Sequence, residues 1–126
     1  MSSKPRGPQV PDGDDLYRAI TRSDWWKAPN KSPSSAAFSW PRFSADIASK
    51  TSPDKTLKHR PKGSGLVSFN CSKARAIGFD PREELDPEFP QNLAHANVYN
   101  DAGPNQRKKQ AKKLAQACHL VVPPSF

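Results

Sequence analysis

Apolar residues are scarce in this chain: 34% of its 126 residues are hydrophobic and 9% are aromatic. So little material makes only a thin core, and 14 prolines force extended or loop structure over much of the length. No run approaches the roughly 20 apolar residues that a membrane-spanning helix requires. The N-terminus, MSSKPRGPQVPDGDD, lacks the apolar block of a secretory signal. These absences predict a soluble, cytoplasmic protein without a membrane partner, and the length leaves room for one domain.

Cysteine is equally sparse. Cys71 and Cys118 have neither CxxC spacing nor a neighbouring pair of histidines, so no metal site and no thioredoxin-like motif is expected. Cys118 precedes His119, but adjacent helical residues point about 100° apart and do not share a ligand. Both cysteines read as small buried hydrophobes. A glycine-rich phosphate loop is also missing, because the one close pair, Gly63 and Gly65, precedes a strand instead of opening a helix.

What the chain does have is charge, unevenly placed. The formal net charge is +8. Residues 79–91 (FDPREELDPEFPQ) are acidic, whereas the chain after Asp101 carries only basic charge. RKKQAKK puts Arg107, Lys108, Lys109, Lys112 and Lys113 on one predicted helix, a binding face for an acidic protein partner or, as the alternative, for nucleic acid. Aromatic residues interleaved with these cations, which stacking on bases requires, are absent from that helix.

Organisation follows from hydrophobic period and punctuation. Residues 1–14 read as a disordered tail. DLYRAI (15–20) reads as a strand with Leu16, Arg18 and Ile20 on one face, followed by a loop (21–35) anchored by Trp25 and Trp26. Two extended pieces are expected around Pro41, the second with Ser44 and Asp46 on its polar face. Ser52 caps a helix from Pro53 to about His59. GLVSFN (65–70) is a strand, Ser72 a cap for KARAI, and Gly78 its stop. An irregular acidic loop leads to the strand LAHANVY (93–99). A long helix over 101–122 then buries Ala111, Leu114, Ala115, Cys118, Val121 and Val122. Residues 123–126 form a short tail. The predicted fold is a single α+β domain over 15–122, a few short strands covered by one long C-terminal helix.

The motif order LYRAI, PSSAAF, FSADIA, GLVSF, NLAHANVY and KKQAKKLA resembles a family of small, uncharacterised prokaryotic proteins of similar length. Leu93 stands where that family's Asn-Pro-Ala-His run has proline. Membership implies no activity and marks only which positions deserve testing.

Arg18, Ser44 and His95 are polar residues on otherwise apolar strands, with Asp46 and Asn97 one alternation further on. If the strands are neighbours, the three converge on a polar cleft. The leading expectation is a small accessory protein that works by interaction, with that cleft on its surface. The alternative is an enzyme. An arginine on a first strand and a serine on a later one resemble the layout of ADP-ribosyltransferase-type folds, which would imply NAD as cofactor, although no carboxylate follows on the late strand. A hydrolase would use His95 as general base, with Ser44 or Ser35 as nucleophile, and neither serine sits in a GxSxG turn. The structural readings are a salt bridge from Arg18 to Asp46 or the acidic loop, and a hydrogen bond from His95 to a carbonyl or to Asp46.

Overall fold

The computed structural model describes residues 5–126. In chain order the elements are β1 (Asp15–Ile20), β2 (Trp26–Lys27), β3 (Ser32–Pro33), β4 (Arg42–Ile47), α1 (Pro53–Leu57), β5 (Gly65–Asn70), α2 (Cys71–Ile77), β6 (Asp80–Glu83), β7 (His95–Tyr99), α3 (Pro104–Ala117) and β8 (His119–Val122). Six strands form one antiparallel sheet in the order β6-β7-β4-β1-β5-β8, and β2 and β3 make a separate hairpin. The α+β class is as expected; the sheet, with six strands, is larger than a few short strands, and the two short helices α1 and α2 accompany the one long helix α3. No helix among the described residues is long and apolar enough to cross a membrane.

Antiparallel register sorts the side chains into two faces, because directly opposed residues point the same way. Leu16 opposes both Ile47 and Phe69, Arg18 opposes Val67, and Phe43 opposes Val98. This face holds the main core, closed by Ala74 of α2 and by Ala111, Leu114 and Ala115 of α3. Phe43 meets Phe38, Phe69 and Phe79 edge-on at centroid distances of 5.5, 6.2 and 6.0 Å. Edge-on contact suits the ring quadrupoles, so a small core gains from aromatic geometry as well as from area. The second face carries Tyr17, Ser44, Asp46, Ser68, His95 and Asn97. Polar alternation on β4 and β7 dictates that segregation.

Several boundaries differ from the sequence reading, each for a local reason. Residues 5–14 are not a loose tail: Val10 is fully buried, Gln9 bridges Arg82, and the Glu83 and Val10 amides donate to Pro8 and Pro81 carbonyls at 2.8 and 3.2 Å. Residues 1–4 of that expected tail lie outside the described residues. The acidic loop begins as β6, where Pro81 is tolerated because the strand lies at the sheet edge. Residues 21–35 fold into the β2–β3 hairpin, with Trp25 and Trp26 packed half-buried against the core. Before Pro41 the chain makes a 3-10 turn, Ser35–Ala37, capped by Ser34.

Asn70, not Ser72, caps α2, its side chain accepting from the Ser72 and Lys73 amides. Helix α3 stops at Ala117, five residues short of the expected end, and the next residues form β8 on the edge of β5. Val121 and Val122 are β-branched and precede two prolines, so they favour extended structure. Only Ala111, Leu114 and Ala115 of the expected stripe are buried in the helix.

Candidate functional site

The sheet register brings Ser44, Asp46 and His95 together and places Arg18 elsewhere. Asp46 lies opposite His95 and Ser44 opposite Asn97, all on the polar face. Arg18 points into the other face, so the expected convergence of Arg18, Ser44 and His95 does not occur. Its Nε and Nη2 donate to the Ala37 carbonyl at 3.1 and 3.0 Å, and Nη1 donates to the Ser44 carbonyl at 3.1 Å. The guanidinium lies 4.6 Å from the Trp25 ring centre and 5.0 Å from that of Phe43. Neither Asp46 nor the acidic loop pairs with it among the described ion pairs. Burial, with the charge of Arg60 adding to it, pulls the Arg18 pKa down to about 9, which leaves a cation at neutral pH.

Asp46 is 4% exposed, and both of its oxygens are held: Oδ2 accepts from Thr56 Oγ1 at 2.9 Å and Oδ1 from Asn92 Nδ2 at 3.0 Å. Thr56 reaches it because Ser52 caps α1 and sets that helix over the sheet. His95 is 5% exposed, with Nδ1 2.6 Å from the Glu84 carbonyl oxygen. A carbonyl only accepts, so Nδ1 carries a proton, and in a neutral imidazole that tautomer leaves Nε2 as an acceptor. That Nε2 is buried and has no partner. Ser44 therefore gives it no hydrogen bond, and no nucleophile is primed by this histidine.

These groups line a cleft of about 410 Å³. The sheet contributes Ser44, Asp46 and His95; α1 and its flanks contribute Lys50, Thr51, Lys55, Thr56, His59 and Arg60; and residues 86–94 contribute Asp86, Phe89, Gln91, Asn92, Leu93 and Ala94. Lys50 is paired with Glu83, whereas Lys55 and Arg60 have no carboxylate partner among the described ion pairs. Phe89 and Leu93 are 52% and 69% exposed, so the cleft carries apolar side chains as well as basic ones beside its polar base. The sequence reading missed Thr56, Arg60, Glu84 and Asn92. The Ser52 cap was the one signal that could have placed Thr56 on an inward turn.

Glu84 braces this site from behind. Its carboxylate accepts from Asn97 Nδ2 at 2.8 Å, Tyr99 Oη at 2.5 Å and the Gly7 amide at 2.7 Å, while its carbonyl holds His95. Burial pushes the Glu84 carboxyl up, but the bonds from Tyr99, Asn97 and Gly7 more than offset it, so its pKa lies below the usual value. The contribution to stability is therefore present above the unfolded glutamate pKa of about 4.3 and is lost as pH falls through the lower folded value. Melting temperature followed from pH 7 to pH 3 should fall on the acid side, and Glu84→Gln should flatten that fall. An acid limb identical in wild type and variant would remove Glu84 from this role.

On α3, Lys108, Lys109, Lys112 and Lys113 are exposed. Arg107 is not part of that face: it is half-buried and donates to the Ser39 and Ala102 carbonyls at 3.0 and 3.2 Å. Cys118 Sγ donates to the Leu114 carbonyl at 3.3 Å, and burial pushes its thiol up to about 12. Burial likewise pushes Cys71 up to about 11, so neither cysteine is a ready nucleophile. No family model matches the chain, and neither a curated protein nor a solved structure matches it.

Proposed function

We propose that this protein binds a small anionic organic ligand in the cleft over β4 and β7, with His95 as the acceptor that fixes its orientation. The observation that carries the reading is the buried, unpartnered Nε2 of His95, a residue lining a cleft that also presents Lys55 and Arg60. A buried acceptor without a donor costs roughly 1–3 kcal/mol, and a ligand N–H or O–H recovers it. The cations would take the negative group, and Phe89 and Leu93 would cover an apolar or ring portion. A binding module of this size suits an accessory role beside a larger partner. Catalysis is the weaker reading. An NAD-dependent transfer lacks its arginine in the cleft, since Arg18 bonds carbonyls on the opposite sheet face, and hydrolysis lacks a serine bonded to His95.

The test is thermal stabilisation and titration of the full chain against mononucleotides, NAD, sugar phosphates and polycarboxylates. At least one should stabilise the wild type. His95→Phe keeps the ring without the nitrogen, and it should weaken that ligand by about 10- to 100-fold. Arg60→Gln, at an exposed position, should weaken it without moving the melting temperature of the free protein. A panel in which no ligand stabilises the wild type would overturn the reading, as would a ligand indifferent to both substitutions.

A further inference from the structure

We infer that the exposed side of α3 and the groove beside it form a track for single-stranded nucleic acid, independent of the His95 cleft. Between α3 and the β2–β3 hairpin runs a groove of about 430 Å³, with Lys27 from the hairpin facing Lys112 from the helix. The remaining polar groups in it are neutral, Asn30, Ser32, Ser35 and Gln116, and no carboxylate lines it among the described residues. Lys108, Lys109 and Lys113 are exposed on the same helix and make no ion pair among the described residues. Residues 108 and 112 share one helix ridge and 109 and 113 the next, so cations recur one turn of about 5.4 Å apart along two rows.

The fold also supplies an aromatic residue that the helix itself lacks. Trp40 is 47% exposed and follows Ser39, whose carbonyl is held by Arg107 in the first turn of α3. An exposed tryptophan beside the first turn of the helix that carries these lysines gives a base a surface to stack on, which favours a nucleic acid over an acidic protein as the occupant.

The experiment is fluorescence anisotropy of labelled 12-mers of oligo-dT and oligo-U with the full chain at 50 and 200 mM salt. Neutralising three or four single-strand phosphates predicts a roughly 20- to 50-fold loss of affinity between those salts. The double variant Lys27→Gln/Lys112→Gln should reduce the salt dependence, and Trp40→Ala should weaken binding about tenfold, both without changing the melting temperature. The inference is overturned by no binding at 50 mM salt, or by binding indifferent to these variants. It is also overturned if a poly-glutamate peptide competes as well as the oligonucleotides, which would assign the face to an acidic protein. Preference for a duplex over both 12-mers would overturn the single-stranded assignment.

Discussion

Deleting residues 1–11 is expected to lower the stability of the protein by about 4–6 kcal/mol, or to prevent folding outright. The deletion removes Val10, whose full burial alone contributes roughly 1.5–3 kcal/mol. It also removes the two backbone bonds that Pro8 and Val10 make to β6, each worth about 1 kcal/mol. Arg6, which bonds Asp80 at 2.8 Å and lies 4.0 Å from the Tyr99 ring centre, goes with them. The Gly7 amide that supports Glu84 is lost too, and the outer edge of β6 is left open to pair with another chain. Small domains hold a total of about 5–15 kcal/mol, so the loss is a large share. At about 3–5 °C per kcal/mol for a chain of this size, the melting temperature should fall by roughly 12–30 °C. Gly7→Ala is the minimal version, because a Cβ there would lie 2.2 Å from the Glu83 carbonyl oxygen and force the segment off the sheet. A truncated protein melting within 2 °C of the full chain would return residues 5–11 to the status of a tail.

That segment shows where local sequence reasoning stops. Residues 1–14 hold a single aliphatic residue after the initiator methionine, and nothing nearby marks Val10 as buried, because its partners are some 70 positions away on β6. By contrast β1, β4, β5 and β7 were legible from alternation, since each strand sorts its own residues between two faces. The same alternation correctly paired Ser44 with Asp46 on a polar face. It also put Arg18 with Leu16 and Ile20, which is where the structure has it. The error lay in supposing that a polar residue on an apolar face must turn toward the other polar residues. Helix α3 was legible to Ala117, and β8 was not, because Val121 and Val122 continue the three-to-four spacing of the helix before them. Their pairing with β5 decided it, and that is a contact between residues about 55 apart. Glu84 and Asn92 were invisible for the same reason: each serves the cleft through a partner brought near only by the folded sheet.

Arg18→Ala is expected to cost about 3 kcal/mol while leaving binding at the His95 cleft unchanged. The guanidinium fastens the Ser35–Ala37 turn to β4 through the Ala37 and Ser44 carbonyls. Removing it leaves two carbonyls in a half-buried site without their donors, at about 1 kcal/mol or more each. It also removes contacts with Trp25 and Phe43 worth roughly 0.5–1 kcal/mol apiece. Arg18→Lys separates the two contributions. An ammonium keeps the charge but lacks the planar fork, so it can serve one carbonyl well and stack on neither ring, and it should retain about half the stability. Arg18→Met keeps most of the apolar stem and should lie close to alanine if the hydrogen bonds dominate. Urea denaturation with an unchanged slope reads these losses directly. A loss below about 0.5 kcal/mol for alanine would mean that Arg18 is not a structural pin, and that its charge, held without a carboxylate between two aromatic rings, must be explained by a ligand instead.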